Sequence, residues 1–236
     1  MPRTNKQLKD DLTRLTLGRM GFDGSRVEQG SDNWHAMRFG VITASRAKDL
    51  IAKGEMRKTY MAELMAQVEI AEIKDGGWKQ TEWGHEHEGS CVGLLGFELG
   101  EAVEQIPFVY ADDSMRYGCS PDGLVGDLSG VEAKCPFDPA VFNKFVAWGD
   151  IKPEYIAQVQ FSMFVTDRET WHFACYHPKV TNYMLHSQLI ERDEKMMATF
   201  SDAIPAFIHE MDQRLAKLDY TFGDQWPHPI VMRKAA

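Results

Sequence analysis

The chain has 236 residues, of which 44% are hydrophobic and 26% charged. That is enough for one large α/β domain with a substantial core and ordinary for a soluble globular protein. A net charge of −9 excludes a uniformly basic nucleic-acid coat, and no apolar run reaches membrane-spanning length.

No signal peptide opens the chain, and no membrane role is expected. Cys91, Cys119, Cys135 and Cys175 lack zinc-type spacing and sit mostly among apolar or small residues. They read as buried thiols in a reducing cytoplasm. Basic residues gather at Arg46, Lys48 and Lys53-Gly-Glu-Met-Arg-Lys58. A basic channel in an acidic exterior is therefore compatible with the charge.

In chain order, an amphipathic helix is expected from Lys6 to Leu17 within a polar N-terminal extension, residues 1–25. Ser31 to Ile51 reads as a turn followed by a helix opened by Thr43 or Ser45. Thr59 to Ile73 reads as helix, Asp75-Gly-Gly-Trp78 as a break, and Glu82 to Leu99 as a long helix. A strand-rich stretch follows from Val103 to about Cys135. Helices are expected at Pro139 to Trp148 and Pro153 to Thr166, then a strand at Trp171 to Tyr176. Glu191 to Leu218 reads as helix interrupted near Pro205, before a tail at residues 227–236. With no internal repeats, the pattern predicts one domain over residues 1–236: helices around a small mixed sheet.

The chemistry concentrates in Ser120-Pro-Asp-Gly-Leu-Val-Gly-Asp-Leu-Ser-Gly-Val-Glu-Ala-Lys134. Val131 to Cys135 reads as a short buried strand after a Ser129-Gly130 turn. Alternation puts Glu132 and Lys134 on one face and Ala133 on the other. Asp122, at a Pro-Asp-Gly turn closing a strand around Met115 to Cys119, is then brought beside Glu132 by the hairpin. Two carboxylates this close repel and shift each other's pKa. A divalent cation removes the conflict, and carboxylate oxygens suit Mg²⁺. Lys134 would offset charge developing on a phosphodiester or orient a bound water. The rival reading is a solvent-facing hairpin with a Glu/Lys pair.

Other segments supply further parts. Arg38-Phe-Gly-Val-Ile-Thr-Ala-Ser45 ends at the expected helix start, an anion site where Arg38, Thr43 and Ser45 could clamp a terminal phosphate. A plain N-cap with a surface arginine is the alternative. Trp83-Gly-His-Glu-His-Glu88 opens the long helix, and Glu88 could add a third carboxylate. Zinc at His85 and His87 is the weaker reading, because the two point differently on a helix. Tyr155, Gln158 and Ser162 form a polar stripe on one helix.

Gln29 to Ser45, Trp83 to Glu88, Ser120 to Phe137, Ala157 to Met163 and Glu191 to Lys195 occur in an order that resembles the phage lambda exonuclease family and its YqaJ-type relatives. The similarity runs from about Arg26 to Trp226. It implies a restriction-endonuclease-like core, a central mixed β-sheet flanked by helices. It implies processive 5′→3′ digestion of linear double-stranded DNA, a preference for 5′-phosphate ends and 3′ single-stranded products. It implies Mg²⁺, two ions per site with Mn²⁺ able to substitute, a homotrimeric ring, and a single-strand annealing protein as partner in recombination. A bacterial host or prophage origin goes with it.

By motif, the resemblance makes Asp122, Glu132 and the Ala133 carbonyl metal ligands, with Glu88 partly through water. Lys134 becomes the catalytic lysine, Gln158 an active-site glutamine, and Arg38, Thr43 and Ser45 the 5′-phosphate pocket. Asp112 matches a further acidic position. The family's apolar strand-separating wedge falls at Thr81, so Trp78 is expected to take that role by stacking on a base. Two other classes stay open: an endonuclease on the same core, and a DNA-end-binding recombination scaffold.

Overall fold

The computed structural model describes residues 2–73, 79–226 and 233–234. Helix α1, Asn5–Met20, opens with a capping box between Thr4 and Gln7 and ends at a left-handed Gly21. Leu8, Leu12, Leu15 and Met20 fall on one face and are buried. Ser31 caps a helix, α2, Asp32–Arg38, where the sequence suggests only a turn. Then comes strand β1, Ile42–Thr43, a single 3-10 turn at residues 44–46, and α3, Ala47–Ile51. The expected helix start at Thr43 or Ser45 is displaced because the β-branched Ile42-Thr43 pair joins a sheet. Helix α4, Glu55–Ile70, ends at left-handed Ala71, and β2, Glu72–Ile73, follows. Helix α5 spans Lys79–Leu99.

The middle of the chain is strand-rich: β3, Val103–Glu104; β4, Val109–Tyr110; β5, Tyr117–Cys119; β6, Gly123–Val125; and β7, Ser129–Lys134. Helices α6, Pro139–Trp148, and α7, Pro153–Thr166, both start on proline, which suits the first helical turn. Strands β8, Thr170–Tyr176, and β9, Leu185–Glu191, precede α8, Glu194–Ala216; β10 is Arg233–Lys234. The main sheet has the order β3-β6-β7-β8-β9, with β7 and β8 parallel and the other neighbours antiparallel. A second sheet orders β1-β5-β4, and β2 pairs with β10.

The hairpin differs in detail from its expectation. Met115 to Cys119 does not pair with the Glu132 strand; β5 belongs to the smaller sheet. The partner is β6, with Gly123 opposite Val131 and a turn at residues 126–128. Ser129 and Gly130 lie inside β7 rather than in the turn. Gly130 is required there because a Cβ would come 2.4 Å from the Trp171 ring on β8.

Strand β9, to which the sequence assigns no element, ends at Glu191, and the expected last helix starts three residues late, at Glu194. That helix also runs unbroken through Pro205. A proline in a helix interior costs about 3 kcal/mol. Pro205 faces solvent, while Phe200, Ile204, Phe207, Met211 and Leu215 bury one continuous stripe. At about 1.5–3 kcal/mol for each buried side chain, the stripe prevails.

Alternation gives β7 two different faces. Val131 and Ala133 pack with Cys91, Val92 and Leu95 of α5. Gly130, Glu132 and Lys134 share the opposite face with Trp171, Phe173 and Cys175 of β8, against α7 and the larger core.

Candidate active site

The site forms where the C-terminal half of β7 meets α7 and the first turns of α5. Glu132 is 2% exposed, which is rare for a carboxylate unless it is paired. Its Oε1 accepts the Gln158 amide of α7 at 2.7 Å and also takes the Lys134 ammonium. Asp122 stands just before β6, and its Oδ2 accepts the Ala133 backbone N–H at 2.6 Å. Its own N–H donates to the Val131 carbonyl at 3.2 Å. The ladder between β6 and β7 therefore fixes Asp122 against the strand that carries Glu132.

The electrostatics show how close the acidic groups are. Burial pushes the Asp122 carboxyl well up, and the charges of Glu132 and Glu88 push it further. Burial also raises Glu88, which His85 opposes and Glu132 reinforces. Burial alone would lower Lys134, but Glu132 and Asp122 outweigh it and hold the ammonium charged. The Lys134 Nζ also lies 4.9 Å over the Tyr155 ring, which stacks on Phe173 at 5.8 Å. A cavity of about 700 Å³ opens here, with Glu88, Lys134, Tyr155, Lys144 and Lys152 in its wall.

Whether these groups fit a divalent cation can be judged from their donors. Among the described residues, no three His, Cys, Asp or Glu side chains already form a metal-holding cluster. Glu132 and Asp122 each use one oxygen in the hydrogen bonds above. Their other oxygens make no hydrogen bond among the described residues. The result is hard oxygen donors under mutual repulsion beside a cavity. That suits Mg²⁺, which takes one or two carboxylates and keeps several waters. The zinc reading gains nothing: His85 is exposed, whereas His87 packs 4.1 Å from the Trp83 ring.

Arg38, Thr43 and Ser45 line one second cavity, about 780 Å³, with Arg46 and Tyr60. The Arg38 guanidinium lies 3.8 Å over the Trp34 ring. Its Nε is buried without a hydrogen-bond partner among the described residues. Burial lowers Arg38 to about 10, so it stays charged at neutral pH. The Thr43 and Ser45 hydroxyls are 3.3 Å apart, and the Thr43 N–H donates to the Tyr60 hydroxyl at 3.1 Å. Among the described residues Arg38 pairs with no carboxylate, and a cation so placed near two hydroxyls is a receptive arrangement for a phosphate. The anion site expected at a helix start is not formed as such; a 3-10 turn occupies that place.

The structure thus gathers Asp122, Glu132, Ala133, Lys134, Gln158 and Glu88 in one place, and Arg38, Thr43 and Ser45 in another. Asp112 is not among them: exposed in the β4–β5 turn, it accepts the Ser114 N–H at 2.8 Å. Trp78 lies outside the described residues, as does the Thr81 side chain. Ser162 of the polar stripe is buried at 2% exposure and does not line the cavity. Sequence reasoning missed Trp34, Lys144 and Lys152. Trp34 precedes Arg38 by four residues, a signal that becomes readable once residues 32–38 are known to be helical.

A mixed sheet flanked by helices, with an acid and a lysine on one strand and a second acid just before its hairpin partner, defines the restriction-endonuclease-like class. The chain belongs to the YqaJ-like viral recombinase domain family, whose model matches residues 33–169. It is 32% identical to LHK-Exo, an alkaline exonuclease from Laribacter hongkongensis, with a TM-score of 0.73. That match covers 80% of this chain and 96% of the other; the LHK-Exo complex with dAMP superposes with a TM-score of 0.74. A phage-related exonuclease from Haemophilus somnus 129PT shares the fold at 15% identity and a TM-score of 0.59, over 75% of this chain and 96% of that one. ExoD, an uncharacterised protein of Escherichia coli (strain K12), is 49% identical over 76 residues, 32% of this chain and 87% of ExoD.

Proposed function

We propose that this chain is a Mg²⁺-dependent, processive 5′→3′ exonuclease on linear double-stranded DNA. It prefers 5′-phosphorylated ends and leaves 3′ single strands for recombination by annealing. The observation that carries this reading is the convergence of Asp122 from just before β6, Glu132 and Lys134 from β7 and Gln158 from α7, with Lys134 opening onto a cavity. The relative described as an alkaline exonuclease supports it, as does that relative's complex with dAMP, a single nucleotide.

Asp122, Glu132 and the Ala133 carbonyl would hold Mg²⁺, with Glu88 reached through water. When bound, the ion polarises a phosphate oxygen and lowers the pKa of a water. Gln158 holds Glu132 Oε1, which would leave the other oxygen of that carboxylate for an ion. Lys134 places its charge where negative charge grows on the phosphate during cleavage. Arg38, Thr43 and Ser45 bind the terminal 5′-phosphate and so favour attack at that end. A homotrimeric ring around the duplex fits a subunit of charge −9, since a threaded substrate needs no tight grip. A single-strand annealing protein is the partner that would use the exposed 3′ strands.

The test uses linear duplexes with 5′-phosphate or 5′-hydroxyl ends and a closed circle, each with Mg²⁺ or EDTA. Release of label from the 5′ strand of linear DNA alone, abolished by EDTA and by Glu132→Ala, is expected. Cutting of the circle would replace the reading with an endonuclease. End binding without any cutting would replace it with a scaffold.

A further inference from the structure

Helix α2 carries both Trp34 and Arg38, yet it has seven residues and cannot hold itself in place. Its C-terminal carbonyls are held from outside. The Ala36 carbonyl accepts the Trp226 indole N–H at 2.7 Å, and the Phe39 carbonyl accepts the Gln225 amide at 2.9 Å. The Met37 carbonyl accepts the Tyr110 hydroxyl at 2.6 Å. Two of these three donors come from one segment about 190 residues further along the chain.

That segment is built for the task. Trp226 and Gln225 are 5% and 3% exposed. The Gln225 side-chain oxygen accepts the Gly223 N–H at 2.7 Å, which leaves its amide aimed at Phe39. Phe222 packs edge-on to Trp226 at 5.1 Å, and the Arg116 guanidinium sits 4.0 Å over Phe222. Gly40, just after Arg38 and at φ +69, has no room for a side chain: a Cβ would meet Val68 at 2.7 Å and Gln225 at 3.2 Å. The strap is thus closely packed against the turn that follows Arg38.

Arg38 itself has no such hydrogen-bonded anchor among the described residues: its guanidinium rests on Trp34, and its Nε is unpartnered there. Its position depends on where α2 ends. We infer that residues 222–226 form a strap that sets Arg38, making Gln225 and Trp226 positioning residues for recognition of the 5′-phosphate. This rests on the assignment of Arg38 to the terminal phosphate made above.

The experiment measures affinity of the full chain for duplexes with 5′-phosphate and 5′-hydroxyl ends by anisotropy in EDTA, where no cutting occurs. The variants are Arg38→Ala, Trp226→Phe, Gln225→Met and the last two combined. Trp226→Phe keeps an aromatic ring and removes the donor; Gln225→Met keeps the length and removes the amide. Arg38→Ala is expected to abolish the preference for phosphate. The combined strap variant is expected to lower the phosphate-to-hydroxyl affinity ratio by about tenfold, one RT ln 10 step. Under Mg²⁺, the same loss should appear in KM for phosphorylated ends and leave kcat little changed. Thermal melting confirms that each variant is folded. An unchanged ratio in the strap variants, with the ratio lost in Arg38→Ala, overturns the strap and leaves the phosphate pocket intact. Equal loss of affinity for both ends also overturns it, because a purely structural role would act that way. A ratio unchanged in Arg38→Ala overturns the pocket assignment, and the strap falls with it.

Discussion

Replacing Arg168 with Met should destabilise the protein by about 3 kcal/mol, through loss of a buried three-way tie. Arg168 is 0% exposed. Its Nη1 donates to the Gly126 and Ser129 carbonyls at 2.9 and 2.5 Å, and its Nη2 donates to the Asn5 side chain. Those carbonyls flank the turn between β6 and β7. Hydrogen bonds from a charged donor contribute about 1.5–3 kcal/mol each, so the gross loss of three is roughly 4.5–9 kcal/mol. Against this, the buried guanidinium makes no ion pair among the described residues, and its Nε has no partner. Burial accordingly pulls its pKa down to about 10. Relief of that desolvation offsets several kcal/mol, and about 3 remains. For a chain of this size, each kcal/mol shifts Tm by about 2–4 °C, so thermal unfolding should show a fall of about 6–12 °C. Asn5→Ala, which removes one end of the tie, should be non-additive with Arg168→Met by about 0.5–3 kcal/mol. A Tm shift below about 2 °C, or strict additivity with Asn5→Ala, would show that the tie does not hold the hairpin.

Three further outcomes are expected. In thermal melts, millimolar Mg²⁺ should raise Tm of the wild type and have little effect on Asp122→Asn, because ligand binding to the folded state adds stability by mass action; equal shifts in both would remove Asp122 from the ion. Lys134→Met should lower kcat on linear duplex by about 10²–10³, the usual loss of one charge-stabilising donor; a loss confined to KM would make it a binding group instead. Gly130→Ala should destabilise by about 1–3 kcal/mol through overpacking against Trp171; denaturant unfolding that gives less than about 0.5 kcal/mol would mean the ring moves aside freely.

The sequence revealed most where a pattern repeats over several turns. Helices α5, α6 and α7 are long enough for apolar spacing and end signals to agree. The Glu132/Lys134 face was legible because strand alternation needs no knowledge of the partner strand. The partner itself was not. Strands β5 and β6 have three residues each, too short to show an alternation, and only packing decides that β6 takes β7. Strand β9 was hidden for another reason: at the sheet edge it exposes His186, Gln188 and Leu189, so it shows no clean apolar-polar alternation. The Trp34–Arg38 stacking was invisible because it depends on α2 being helical. The tie through Arg168 spans 163 residues to Asn5, a separation at which sequence spacing carries no signal.

The position of β7 in the sheet has a consequence for how the protein comes into being. One of its neighbours, β6, is already synthesised when it emerges, but the other, β8, is completed only at Tyr176. Gln158 also follows Glu132 by 26 residues. The hairpin is therefore synthesised before the elements that bury it. Only when α7 and β8 close over the strand does desolvation begin to act on Asp122 and Lys134. Asp122, Glu132 and Lys134 thus reach their buried setting only after most of the chain has been made.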